Sequence, residues 1–175
     1  NKAKEAYELV KDMEKTYNQP GEVADILQIR IEVLVKMGRI EEGENLIKDF
    51  ASATRATPEI LSPLMQLMAM SYESLADKIV PPLPAEKREE TLKQINTIKE
   101  QNKEKYEEFK RLLTKAGEYY YKWVEKSGKI SVEEALTVAD KIYQYSEKID
   151  KIDFHTKAAR IYERIVQEEF GKPSQ

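Results

Sequence analysis

Apolar residues that recur every three or four positions are the feature of this sequence that most restricts its fold. They occur in runs that glycine and proline separate, and the run over about 22–37 is apolar over a wide arc. This spacing places apolar side chains on one face of a helix. No segment alternates apolar and polar residues with the period of two that is typical of strands. The sequence therefore predicts an all-α protein.

The stretch 36–47 indicates the corner of a helical hairpin. Gly38 follows the apolar run, at a position where a helix end often requires a left-handed residue. A second run starts at Ile40, and glutamates fill its first turn, where carboxylates meet the positive end of the helix dipole. Gly43 lies one turn further on. It suggests a close approach by a neighbouring helix, and a chance glycine is the alternative.

The same criteria predict about seven helices. We expect them at about 2–17, 22–37, 40–55, from Thr57 or Ser62 to about 79, 85–127, 132–149, and from about 153 onward. The proline-rich stretch 81–84 cannot be helical and is the clearest linker. We expect one helical domain over 1–175, with an internal break at this linker as the alternative. Because the chain begins at Asn1 rather than methionine, we expect a fragment of a longer protein, and the sequence indicates no cellular compartment.

The segment 85–127 is the longest without a helix-breaking signal. It contains no proline, and Gly117 is its only glycine. Its apolar residues fit a repeat of alternating three and four, although polar Lys99 and Asn102 occupy two middle positions. We predict one long helix whose middle is thinly covered. The alternative is a break near 101–102 that makes two helices.

The charge balance and the lack of cysteine narrow the possible functions. Charged residues make up 35% of the 175 residues, yet the net charge is only −3. This balance provides no general basic field for nucleic acid and no polybasic membrane anchor. No apolar run approaches the roughly 20 residues that a membrane span requires. Without cysteine, disulfides and thiolate metal sites are excluded.

Few residues of this sequence are suited to catalysis. A nucleophile needs an adjacent base, and the only histidine is His155, which we expect to be an exposed residue near the start of the last helix. Helical di-iron sites require Glu-x-x-His motifs, but Ile152 stands three residues before His155. No glycine-rich phosphate loop is present. We therefore expect no enzyme activity, no cofactor and no metal site.

One spacing recurs in distant helices. Gly43 is followed by apolar residues four and seven positions later and by a proline fifteen positions later. Ala158 is followed by the same residue classes at the same offsets. Helical units that reuse one spacing are typical of stacked hairpins.

The residues around the predicted corner resemble the tetratricopeptide repeat family. The stretch 38–43, Gly-Arg-Ile-Glu-Glu-Gly, is similar to that family's common turn. Further matches lie at Leu27, Leu34 and Ile47. Ile31 and Arg30 depart from the family's preference for a small residue and a leucine at these positions. The resemblance implies a right-handed solenoid of stacked antiparallel hairpins, in which the inner helix of each hairpin lines a groove.

The exposed side of the helix over 22–37 is the candidate binding surface. It carries polar residues at spacings of three, four and four, which are Asp25, Gln28, Glu32 and Lys36. The resemblance implies that this side faces the groove. We therefore interpret the chain as a non-catalytic interaction scaffold that binds a peptide or a partner helix. The alternative is that these residues only form a solvated face.

Two other functions stay open. The helix over 85–127 would give a structural or regulatory subunit of a larger enzyme complex a surface for docking its partner. Tyr121, which the spacing places away from the buried face, would stack on single-stranded nucleic acid together with Lys122 and Lys126. The negative net charge argues against nucleic acid, and the sequence does not indicate the oligomeric state.

Overall fold

The computed structural model describes residues 2–13, 16, 20–52, 56–127 and 130–170. Within these ranges the chain forms helices and no strands, which confirms the predicted all-α class. The helices are α1 Lys2–Met13, α2 Pro20–Lys36, α3 Ile40–Ser52, α4 Pro58–Asp77, α5 Arg88–Gln101, α6 Lys103–Lys126, α7 Val132–Ile149 and α8 Ile152–Phe170, with one 3₁₀ turn at Ala85–Lys87. The predicted ends of the first and third helices, near 17 and 55, lie outside the described residues.

The corner between α2 and α3 has the predicted geometry. Gly38 has a φ of 74°, and its N–H donates to the carbonyl of Val35, while the N–H of Arg39 donates to the carbonyl of Leu34. These two bonds form a Schellman motif, which satisfies carbonyls at the end of α2. Gly43 is buried on α3, and a Cβ there would lie 3.3 Å from Cγ2 of Ile31. The close approach suggested by Gly43 is therefore confirmed.

The prediction of one long helix over 85–127 is wrong, and the alternative break is confirmed. Helix α5 ends at Gln101, and Asn102 adopts a non-helical backbone with φ −148° and ψ 83°. Its side-chain oxygen accepts a hydrogen bond of 3.0 Å from the N–H of Lys105. Asn102 therefore acts as the N-cap of α6, a role for which asparagine is well suited. With this break the described residues contain eight helices instead of about seven.

The start of α4 follows the earlier of the two predicted signals. Thr57 precedes the helix in an extended conformation, and Pro58 is the first helical residue. Proline suits this position because the missing N–H would have no partner within the helix. Pro63 lies inside α4, so Ser62 is not its start.

The helices pack in pairs around α4 and α6. Helix α4 makes its main contact with α6, α7 with α8, and α2 with α3, while α5 lies against α6. Helix α4 also touches α2 and α3, and α6 also touches α7 and α8. One buried cluster runs through these contacts, and it includes residues before and after the linker at 81–84. Each helix thus covers apolar surface that its neighbours cannot bury alone.

Helices α6 and α8 contact each other at Gly117. A Cβ at this position would lie 2.4 Å from Cε2 of Phe154, whose side chain is fully buried. The position therefore has no room for a larger residue unless the ring of Phe154 moves. The sequence alone does not predict this contact, because Phe154 lies on a different helix.

Candidate functional site

Three adjoining cavities form a groove along α7, hereafter the α4–α7 groove. Their volumes are about 340, 360 and 330 Å³. Helix α4 lines the first two cavities, and the linker at 81–84 and α5 line the third together with α7. The first and second share Glu73 and Lys141, and the second and third share Leu83, Thr91, Gln144 and Lys148. Side chains of α6 also line the first two cavities, and the linker at 81–84 and α5 form one end of the groove. Concave sites of this size are the usual places for ligands.

Glu73 of α4 is the centre of a polar network in the groove. Its carboxylate accepts hydrogen bonds from the hydroxyls of Tyr120 at 2.6 Å and Tyr145 at 2.5 Å. The ammonium of Lys141 lies 2.8 and 2.7 Å from the two carboxylate oxygens. Burial acts to raise the pKa of Glu73, but these bonds outweigh burial, so that the pKa lies below its ordinary value. The carboxylate is therefore charged and fully bonded.

Asp77 and Lys148 line the same cavity but are not part of this network. Burial raises the pKa of Asp77, and the negative charge of Glu73 raises it further. Burial lowers the pKa of Lys148, against the attraction of Asp77 and Glu73. Among the described residues neither side chain has a hydrogen-bond or salt-bridge partner within 4.0 Å. Two opposite charges thus face one cavity without touching, which is unusual for partly buried groups.

A second buried glutamate lies at the junction of α3, α4 and α6. Glu44 is 6% exposed, and its carboxylate accepts hydrogen bonds from Tyr72 at 2.7 Å and Lys115 at 2.8 Å. Lys48 lies 3.2 Å away on its own helix. Burial acts to raise the pKa of Glu44, but the bonds from Lys115, Tyr72 and Lys48 bring it down to about 2. The charge of Glu44 is therefore matched within the protein, and its bonds join α3 to α4 and α6.

The four predicted residues of α2 lie on one side of that helix. Asp25 and Lys36 are exposed, whereas Gln28 and Glu32 are half-buried and joined by a hydrogen bond of 3.3 Å. None of the four lines the three cavities of the α4–α7 groove. Binding through these residues stays a prediction.

Tyr121 is not directed away from the protein interior as predicted. Its side chain is half-buried against the core, and the ammonium of Lys157 on α8 lies 5.8 Å from its ring centre. The expectation was wrong because α8 packs beside α6 on this side, which the spacing within α6 cannot show. The stacking of Tyr121 on nucleic-acid bases stays a prediction.

His155 is also less exposed than expected. Its side chain is half-buried, Nε2 lies 3.1 Å from Oγ of Ser146, and the ring meets Tyr143 edge-on at 5.0 Å. Both contacts come from α7, which packs along α8. The position of His155 is therefore explained by packing between these two helices.

Sequence reasoning missed the charged residues of the α4–α7 groove. Glu73 and Asp77 are four residues apart on α4, and Lys141 and Lys148 are seven apart on α7, so each pair shares a helix face. Opposite charge on two helix faces was the available signal. It could not be used because 68 residues separate Glu73 from Lys141, and nothing in the sequence pairs their helices.

No protein-family model, curated protein or solved structure matches this chain. Across the described part of the chain, no helix is long and apolar enough to cross a membrane. Over the same ranges, no group of three or more histidine, aspartate or glutamate side chains is arranged to hold a metal ion.

Proposed function

We propose that this chain is a non-catalytic interaction scaffold of the tetratricopeptide-like type. In this proposal α2–α3, α4–α6 and α7–α8 are three successive hairpins of a right-handed solenoid, and α5 is an insertion within the middle hairpin. The first helices of the hairpins, α2, α4 and α7, form the recognition surface. A segment of a partner protein lies across this surface.

The order of helix contacts supports a solenoid of this kind. Each proposed hairpin is a packed pair, and α4 touches both helices of the pair before it. Helix α6 in turn touches both helices of the pair after it. Contacts limited to neighbouring units are typical of helical repeats. The Gly43–Ile31 contact also accounts for one departure from the family, because the small residue lies on α3 opposite a large residue on α2.

The α4–α7 groove is the observation that carries the proposal. It lies between the first helices of two successive proposed hairpins, where a repeat protein of this type would present its ligand surface. At its open end Met70 of α4 is 54% exposed beside Gln66 and Thr137. Methionine adapts to differently shaped apolar side chains, and the neighbouring polar groups can bond to an extended backbone. A peptide of a few residues therefore fits this part of the groove.

Selection of binding peptides tests this function directly. Peptides from a random library would be selected on the wild-type protein, and their dissociation constants would be measured for a groove variant, Met70→Asp with Thr137→Arg. We expect at least a tenfold loss of affinity, because a charge replaces the apolar anchor and a long side chain fills the cavity. The α2 variant Gln28→Ala with Glu32→Lys tests whether the recognition surface includes α2, because a loss of affinity would then occur in this variant as well.

A matched control separates the groove from general surface effects. The exposed residues Arg160 and Glu163 of α8 do not line the three cavities, so Arg160→Glu with Glu163→Arg should leave affinity unchanged. Far-ultraviolet circular dichroism would verify that each variant folds. A library that yields no specific peptide, or peptides that bind the groove variant as tightly as wild type, would contradict the proposal.

A further inference from the structure

We propose that the middle cavity of the α4–α7 groove binds a free α-amino acid with an apolar side chain. The ammonium of the ligand would pair with Asp77 and its carboxylate with Lys148. This inference goes beyond the scaffold function, because it assigns a small-molecule ligand to a part of the groove that Met70 does not line. It does not depend on the peptide proposal.

Four charged side chains line this cavity. Glu73 and Lys141 are bonded to each other, whereas Asp77 and Lys148 have no hydrogen-bond or salt-bridge partner among the described residues. Lys141 bonds both oxygens of Glu73, and two tyrosine hydroxyls complete that carboxylate. Asp77 and Lys148 are left over, one negative and one positive, in the same cavity. A ligand that satisfies both must carry one cationic and one anionic group. A zwitterion is the simplest molecule of this kind.

The position of Asp77 makes its charge costly to the folded protein. It is the last residue of α4, where the helix dipole is negative, and α4 has no basic residue in its last turn. The charge of Glu73 lies one turn before it on the same face. Burial adds a third unfavourable contribution and raises the pKa of Asp77. A ligand ammonium would offset the repulsion from Glu73 and from the helix dipole with an opposite charge.

Lys148 has the complementary arrangement on α7. It lies in the last turn of that helix, where the dipole favours a cation, and its ammonium lies 5.9 Å from the ring centre of Tyr145. The lysine is half-buried and lines two of the adjoining cavities. Asp77 and Lys148 each lie at the end of a helix, and both line the cavity of about 360 Å³.

The remaining lining fits an apolar side chain. Val80, Leu83, Phe109 and Leu113 face the same cavity of about 360 Å³. An apolar side chain placed against them would displace water from apolar surface, which stabilises the complex. Gln144 and Thr91 line the passage to the next cavity and give the site a polar rim.

Nuclear magnetic resonance titration of the full chain tests the proposal. Leucine, methionine and phenylalanine would each be added to ¹⁵N-labelled protein, and N-acetyl-leucine and leucinamide would be added as ligands that lack one charge. We expect saturable shifts for amide groups near 77 and 148 with at least one free amino acid. The two leucine derivatives should bind at least tenfold more weakly than leucine if leucine binds.

Two variants assign each end of the ligand to its partner. Asp77→Asn should remove the preference for leucine over N-acetyl-leucine, because the ammonium then has no carboxylate to meet. Lys148→Met should remove the preference for leucine over leucinamide, while the apolar part of the site is kept. Asp49→Asn and Lys103→Met change exposed charges outside the cavity and should alter nothing.

Two results would overturn the proposal. One is the absence of a saturable shift with all three amino acids at about 10 mM, which would place any dissociation constant well above the millimolar range. The other is a shift that persists unchanged in Asp77→Asn and Lys148→Met, since the ligand would then bind elsewhere. Peptide binding at Met70 is measured separately, so either proposal can fail alone.

Discussion

Glu44 and Glu73 are two buried glutamates with nearly the same partners and different surroundings. Glu44 accepts a hydrogen bond from one tyrosine hydroxyl and Glu73 from two, and each lies against a lysine of another helix. The side chain of Glu44 is 8% exposed and all nearby charges are matched. The side chain of Glu73 is 21% exposed, and among the described residues neither Asp77 nor Lys148 beside it has a hydrogen-bond or salt-bridge partner. The first cluster joins three helices, whereas the second borders a groove.

The comparison teaches that a buried carboxylate alone does not mark a functional site. A charged group inside a protein has to be matched, and Tyr72, Lys115 and Lys48 match Glu44 completely. In the groove Glu73 is matched in the same way, but Asp77 and Lys148 add one further negative and one further positive charge. The proposed ligand site therefore rests on these two additional charges and not on the buried carboxylate itself.

Truncation of the two glutamates should give the largest difference in the free energy of unfolding between the two clusters. Glu44→Ala leaves the fully buried hydroxyl of Tyr72 without an acceptor and removes the ion-pair partner of Lys115, and we expect a loss of about 3 kcal/mol in the free energy of unfolding. Glu73→Ala should cost about 1 kcal/mol, because water in the groove can hydrate Lys141 and the repulsion of Asp77 is relieved. Urea denaturation measures both values. Equal losses would remove the distinction between the clusters.

Acid should weaken the Glu44 cluster in a defined pH range. The pKa of Glu44 falls from the ordinary value of 4.5 to about 2 in the folded protein, so its contribution is present above 4.5 and disappears as the pH drops toward 2. At pH 7, Glu44→Gln should be less stable than wild type by about 2 kcal/mol. The gap should close as the pH falls through this range. A gap that is constant between pH 7 and pH 2.5 would contradict the assignment.

Removal of one tyrosine hydroxyl from each cluster should also destabilise the Glu44 cluster more than the Glu73 cluster, but by a smaller difference. Tyr72→Phe deletes a bond to a charged acceptor at a fully buried position, and we expect a loss of about 1.5 kcal/mol. Tyr145→Phe should cost about half as much. Its acceptor Glu73 keeps Tyr120 and Lys141 and borders the groove. Thermal unfolding at neutral pH would rank the two variants, and the reverse ranking would oppose the comparison.

Neutralisation of Asp77 should give the smallest effect, with the opposite sign. Its pKa is raised in the folded protein, so the charged form opposes folding at pH values above that pKa. Asp77→Asn should therefore be more stable than wild type at pH 7, by less than about 1 kcal/mol. This advantage should vanish as the pH falls below about 4, where aspartate is protonated in both states. A less stable variant at pH 7 would mean that Asp77 has a structural partner.

Much of the local structure could be predicted from the sequence. The Gly38 corner and the start of α4 at Pro58 depend on residues within two turns of each other, and Gly43 meets Ile31 of the preceding helix. The break at Asn102 was only an alternative, because the apolar spacing on either side fits one continuous helix. Its capping bond to Lys105 decides the outcome, and a weak apolar middle offers little burial to oppose it.

Residues whose surroundings come from another helix were predicted poorly. The sequence predicts that Tyr121 and His155 are exposed. In the structure the ammonium of Lys157 lies near the ring of Tyr121, and the ring of Tyr143 packs edge-on against His155. The contact at Gly117 was not predicted, because Phe154 lies on α8. In each case the periodicity of one helix gives the direction of a side chain but not the neighbour that it meets.

The sequence by itself determined that this chain is helical, where most of its helices begin and end, and how the α2–α3 corner turns. Only the tertiary structure decided which charges share a cavity. Helix periodicity and caps act over a few residues, so the chain carries them locally. The pairing of α4 with α6 and the groove between α4 and α7 depend on apolar surfaces that come from distant segments, and many pairings bury similar area. Asp77 and Lys148 therefore line one cavity only when the helices are in place.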